Sequence, residues 1–176
     1  VVSMTTTIEN AFGSRLMVRG FLLNNELTDF SFKTHNDGKP IANRLEPGKR
    51  PRSSMAPTII MQGDKPYLAI GSPGGSRIIS MVLLSVLDFI EGKSAEVIVA
   101  APRYHHQYLP DEVQVENVGF NEQELDALKQ RGHHITQLSR QYGDMHVIIQ
   151  DKINSTLNAA SDPRGEGQAT VTTLEK

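Results

Sequence analysis

The sequence has no cysteine. That excludes disulfides, thiol nucleophiles and cysteine metal sites, and it leaves the redox compartment undecided. Long apolar runs are missing too. Runs such as residues 81–84 fall far short of the roughly 20 apolar residues that span a bilayer. Charge of one sign is scarce: 18 Lys and Arg against 20 Asp and Glu leave a net charge of −2. There is no basic stripe and no interleaving of aromatic with basic side chains, so nucleic acid is not an expected partner. No repeat or low-complexity stretch occurs. The chain opens on Val1, with no initiator Met, charged leader or signal segment. It enters a β-type run at once, and strands rarely start at a natural terminus with nothing to hold them. The expectation is a piece of a longer protein.

What is present is an ordinary globular composition, 38% apolar and 22% charged, over 176 residues, enough for one sizeable core. In residues 1–9, Val2, Met4, Thr6 and Ile8 alternate with Ser3, Thr5, Thr7 and Glu9, as on a strand. Phe21-Leu22-Leu23 is a short strand. Residues 35–51 carry Gly38, Pro40, Pro47, Gly48 and Pro51 among charges and form a long surface loop. Residues 58–61 and 67–70 make a hairpin around Gln62-Gly63-Asp64-Lys65. Residues 77–91 read as a helix that is apolar nearly all round, hence buried, and stopped by Gly92. A second helix starts near Ser94. A third carries a capping-box pattern at Asn121 and Glu124, a staple spacing at Phe120 and Leu125, and Gly132 after its last turn. Residues 145–149 and 155–160 are late strands, and the chain turns polar and frays after Gly165. Strands mixed with helices that pack on them give an α+β or layered α/β class.

Four groups of residues can carry chemistry. Gly74-Gly75 lies between a strand and a helix in Gly71-Ser72-Pro73-Gly74-Gly75-Ser76. Adjacent glycines leave backbone N–H groups unshielded, and with the helix dipole they can hold an anion or a developing oxyanion. The alternative is a tight turn that uses glycine for positive φ. No Lys-Ser or Lys-Thr follows Gly75, so a phosphate loop is excluded, and neither Ser72 nor Ser76 has the glycine spacing of a nucleophile elbow. Glu26 and Asp29 are three apart and share a face on a helical turn, where they can take a ligand ammonium or act as acid and base. Otherwise they are a solvated turn. Ser53-Ser54 can donate to a carboxylate or can cap a turn. The pairs His105-His106 and His133-His134 have no metal-chelating spacing, and His105 reads as a structural hydrogen-bonding residue.

Several segments, in order along the chain, resemble the γ-glutamyltranspeptidases, a family of N-terminal-nucleophile hydrolases. They are residues 5–14, 22–30 (Leu22-Leu23-Asn24-Asn25-Glu26-Leu27-Thr28-Asp29-Phe30), 49–58 (Lys49-Arg50-Pro51-Arg52-Ser53-Ser54-Met55-Ala56-Pro57-Thr58), 71–79, 101–107 with 109–112, and Ala160-Ser161-Asp162-Pro163-Arg164. The resemblance implies an α+β, layered αββα fold, incomplete without the large subunit and the first strand. Residues 1–166 are then a small-subunit catalytic domain lacking its nucleophile strand, and 167–176 a polar tail. It implies a precursor that cuts itself, a new N-terminal Thr that attacks a γ-glutamyl amide with its own α-amine as base, and a γ-glutamyl ester passed to water or an amino acid. Glutathione or another γ-glutamyl compound is the donor, and amino acids or peptides are the acceptors. No cofactor or metal is implied.

The resemblance also distributes roles. Thr7 hydrogen-bonds the nucleophile's hydroxyl, and Gly74 and Gly75 form the oxyanion hole. Ser53 and Ser54 bind the donor's α-carboxylate. Glu26 and Asp29, with Glu9 near them, bind its α-ammonium. Residues 35–51 form a lid. An α-amino acid end is a zwitterion, and this set supplies both halves of its recognition except for an Arg on the large subunit. The family's nucleophile falls about a dozen residues before Val1, so this chain alone is expected to be inactive. Uncovered sheet edges and apolar surface lead to an isolated chain that forms a homo-dimer or swaps elements. The resemblance places the protein in the periplasm or outside the cell. Alternatives are a related acylase or poly-γ-glutamate-processing enzyme, or a non-catalytic module that binds α-amino acids.

Overall fold

The computed structural model of the protein describes residues 1–8, 13–151 and 156–172. They form two bodies, one of Thr6–Ser54 and the other of Val1–Thr5 with Met55–Lys176.

In the smaller body, β1 (Met17–Val18) pairs antiparallel with β2 (Phe21–Leu22). Arg19 and Gly20 between them both take positive φ, the handedness that matches twisted strands. A 3-10 turn, Glu26–Asp29, follows. Its first N–H is accepted by the Asn24 side chain at 2.9 Å, and the Thr28 N–H bonds the Asn25 carbonyl at 2.9 Å. The stretch expected as a plain loop contains a hairpin, β3 (His35–Asn36) with β4 (Lys39–Pro40). Asp37 and Gly38, at φ 50° and 74°, supply the two left-handed residues it needs.

The larger body is α+β. Its chain order is β5 (Thr58–Gln62), β6 (Lys65–Gly71), α1 (Ile78–Ile90), α2 (Ala95–Ala100), β7 (Tyr104–His105), β8 (Val113–Val115), α3 (Glu122–Gln130), β9 (Ile135–Gln137), β10 (His146–Asp151) and β11 (Thr156–Ser161). One antiparallel sheet runs β11-β10-β6-β5. Leu68, Ile70, Val147 and Ala160 on one face meet Met81 and Val82 of α1 and Ile98 and Val99 of α2, which makes the core. The cap of α2 reaches the sheet, because the Ala95 N–H bonds the Asn158 side chain at 2.7 Å. A second sheet, β7-β8-β9, contains a parallel pair, β8 with β9, joined through α3. The capping box at Asn121 and Glu124 is formed in both directions at 2.9 Å.

Two expectations fail here. Residues 1–8 alternate in exposure, with Ser3, Thr5 and Thr7 half-buried and Val2 and Met4 exposed, yet they form no strand. Ser3 bonds the Ile70 carbonyl through its hydroxyl, at 2.9 Å. Strand β6 is already paired on both edges, with β5 and β10, so it has no ladder to offer. Helix α1 is not buried all round either. Ile78, Met81, Val82 and Ser85 face the core, but Ile79, Leu83, Leu87 and Ile90 form an exposed stripe. The described residues supply a packing layer to one face of the helix only.

Candidate active site

The smaller body gathers the residues expected to recognise an amino acid. Thr7 is stitched to Asn25: its hydroxyl donates to Asn25 Oδ1 at 3.4 Å, and its carbonyl accepts the Asn25 N–H at 3.4 Å. Asn25 also donates to the Thr28 hydroxyl at 3.0 Å. That fixes the turn Glu26–Asp29, whose two ends carry half-buried carboxylates. Among the described residues, nothing donates to either carboxylate. Glu26 borders a cleft of about 590 Å³, lined also by Arg15, Asn24, Leu27 and Phe32. Glu9 lies outside the described residues.

Asn43, which sequence reasoning passed over, links this turn to the serine pair. Its amide donates to the Asp29 carbonyl at 2.7 Å, and its side-chain oxygen accepts the Arg52 N–H at 2.8 Å. Ser53 and Ser54 follow directly, Ser53 exposed and Ser54 half-buried. The signal was present in the sequence as an Asn inside a Pro- and Gly-rich loop, a residue that often bonds backbone there.

The glycine pair stands in the larger body, where β6 gives way to a 3-10 turn, Gly75–Arg77, and then α1. Gly74 has φ 145° and Gly75 φ 58°, both outside the comfortable range of other residues. A methyl at Gly74 would come within 2.6 Å of Met81 Cε, so the flexible end of that side chain would have to shift. Among the described residues, nothing accepts a hydrogen bond from the N–H of either glycine. Gly75 is exposed and meets no atom that a Cβ would strike. Two adjacent donors at the mouth of a helix, unused among the described residues, have the chemistry to hold negative charge.

Beneath the loop lies a buried ion network. Arg103, 4% exposed, donates to Asp162 at 2.5 Å, to the Val99 carbonyl at 3.0 Å and to the Tyr142 carbonyl. Arg164 bonds Glu116 at 2.8 and 3.1 Å, Asp162 at 3.1 Å and the carbonyls of Val99 and Ala101 at 3.0 Å. Burial pushes the Asp162 carboxyl up, but the Met145 N–H, the Arg103 guanidinium and the Arg164 N–H outweigh it and hold it below its ordinary value. Burial raises the Tyr142 hydroxyl to about 12, helped by the charge of Glu116. His105 is buried, with the Ser80 hydroxyl 2.7 Å from Nδ1 and the Gln107 amide oxygen 2.9 Å from Nε2. Among the described residues, no group of three His, Asp or Glu side chains is placed to hold a metal ion. No described helix is long and apolar enough to cross a membrane.

Residues 1–172 match the family model for gamma-glutamyltranspeptidase. The glutathione hydrolase proenzyme of Escherichia coli is 39% identical over 97% of this chain, and that of Bacillus subtilis 39% over all of it. The chain spans 30% and 29% of those relatives, so it corresponds to part of a larger precursor. The solved structure of gamma-glutamyltranspeptidase from Pseudomonas nitroreducens complexed with L-DON superimposes with a TM-score of 0.81 at 36% identity, covering 98% of this chain and 93% of that one.

Proposed function

The chain belongs to the γ-glutamyltranspeptidase family, and from that premise we propose that the whole protein transfers or hydrolyses the γ-glutamyl group of glutathione and related compounds. The observation that carries this reading is the pair of N–H groups at Gly74 and Gly75, unused among the described residues and fixed by backbone angles that only glycine adopts readily. They suit the oxygen that gains charge when a hydroxyl adds to an amide carbonyl.

The proposed reaction has two halves. The hydroxyl of the N-terminal Thr that the precursor's self-cleavage exposes adds to the γ-carbonyl, and its proton passes through the α-amine to the leaving amine. A γ-glutamyl ester remains, and water or an amino acid displaces it. Thr7 supports the nucleophile's hydroxyl. Glu26 and Asp29, with Glu9, take the donor's α-ammonium, and Ser53 and Ser54 its α-carboxylate. The carboxylates of the turn Glu26–Asp29, to which none of the described residues donates, favour this, since an ammonium supplies a donor. Residues 35–51 act as the lid.

In this reading residues 1–166 are small-subunit catalytic domain and 167–176 a tail. The large subunit of the same precursor is the partner and brings the Arg that completes the carboxylate site, and the protein works in the periplasm or outside the cell. The test is mass spectrometry of the processed protein, acid-quenched during the first turnovers of a γ-glutamyl donor. The small subunit should gain one γ-glutamyl group on its N-terminal Thr. Product release with no such adduct contradicts the proposal.

A further inference from the structure

The glycine loop is held from both ends. At its start Ser72, 3% exposed, donates to the Pro73 carbonyl at 2.8 Å and accepts the Asp144 N–H at 3.1 Å. At its end the Arg77 guanidinium sits 5.1 Å from the centre of the Tyr142 ring and donates to Gln114 Oε1 at 3.0 and 2.6 Å. Both anchors reach residues 142–144. That segment is itself immobilised: the Tyr142 N–H bonds Glu116 at 3.1 Å, its carbonyl accepts from Arg103, and the next N–H, of Met145, bonds Asp162 at 2.8 Å. Met81 fills the space beneath, close to the Cα of both Gly74 and Gly143. The outer side of the loop is exposed at Pro73, Gly75 and Ser76.

We propose that Ser72 and Arg77 are positioning residues that clamp the Gly74-Gly75 backbone to residues 142–144, so that its two N–H groups are aimed before charge develops on the substrate. This rests on the oxyanion reading of the loop given above. Donors fixed in advance stabilise a transition state without reorganising, and a loop released at one end loses that advantage. Neither side chain touches substrate in this arrangement. Their loss therefore appears in the chemical step and not in ground-state binding of the γ-glutamyl donor.

The test uses the whole processed protein. Ser72→Ala is compared with the parent for donor kinetics and for inhibition by two ligands. One is glutamate. The other is its analogue with a boronic acid in place of the γ-carboxyl, which becomes a tetrahedral anion when the nucleophile's oxygen adds to boron. Ser72→Ala should lower kcat roughly tenfold or more, with KM and glutamate inhibition within about twofold. Boronate affinity should fall in step with kcat. Unchanged kcat and boronate affinity overturn the clamp, and so does an equal loss of glutamate and boronate binding. If Ser72→Ala does not yield processed protein, Gln114→Met, which frees Arg77 from a half-buried position, is judged by the same criteria. Gly75→Ala separates the two claims, because alanine at φ 58° is strained or turns its N–H away. Boronate binding that survives Gly75→Ala sinks the oxyanion reading itself. Boronate binding lost in Gly75→Ala but kept in Ser72→Ala sinks only the clamp.

Discussion

Asp29 and Glu26 show how far a single residue's role can be argued. Each is a half-buried carboxylate at one end of a turn, with no donor among the described residues. A buried or half-buried charge without a partner is costly unless a ligand supplies one. Asp29→Asn keeps the shape and removes the charge. A hydrogen bond to a charged group is worth about 1.5–3 kcal/mol, so KM for a γ-glutamyl donor should rise about 10- to 100-fold. Inhibition by glutarate, which has no α-amine, should be unchanged, whereas inhibition by glutamate should weaken as KM rises. Steady-state kinetics with both inhibitors check this, and an equal effect on both would mean that Asp29 does not face the ammonium. Spacing singles out these two residues and the glycine pair as candidates in the sequence, and the family resemblance proposes their roles. Asn43 and Ser72 were not visible as linkers, because their partners are backbone groups such as the Arg52 and Asp144 N–H groups, which no side-chain pattern announces.

At the scale of elements, legibility followed the range of the forces involved. The hairpin β5–β6, the cap of α2 and the capping box of α3 depend on neighbours in sequence, and all were readable there. Asn121→Ala should cost about 1 kcal/mol, seen as a lower urea midpoint with donor KM unchanged. Strands β7, β8 and β9 escaped notice because two- and three-residue strands carry too little alternation. The exposed stripe of α1 was misread because apolarity alone does not say whether a second layer exists. The ion network binds α2, β8 and the end of β11 through charges distant in sequence, and its burial was unforeseeable. It gives the larger body a pH dependence. The Asp162 carboxyl has a lowered pKa in the fold, so its contribution is full above the unfolded value of about 3.9 and is lost as pH falls through the folded value. Asp162→Asn should destabilise by about 3 kcal/mol at neutral pH, because it strands Arg103. Urea midpoints of parent and variant should then converge below about pH 4. A constant gap at every pH would show that the carboxylate's charge is not what matters.

The larger body presents apolar surface along α1 and along its main sheet. Ile79, Leu83, Leu87 and Ile90 are exposed along α1, and Ile59, Met61, Ile148 and Leu157 along the sheet. Patches of this kind mark surfaces that associate. Expressed alone, this chain should sediment above its monomer mass at micromolar concentration. A monodisperse monomer in analytical ultracentrifugation would show that these faces need no cover.

The central claim is that the whole protein acts on γ-glutamyl amides by holding the α-amino acid end while the glycine loop meets the reacting carbonyl. It is tested most directly by chromophore release from two anilides, γ-glutamyl and glutaryl, which differ only in the α-amine. The account predicts turnover of the γ-glutamyl anilide by the processed protein and little or none of the glutaryl one. Comparable turnover of both would contradict it.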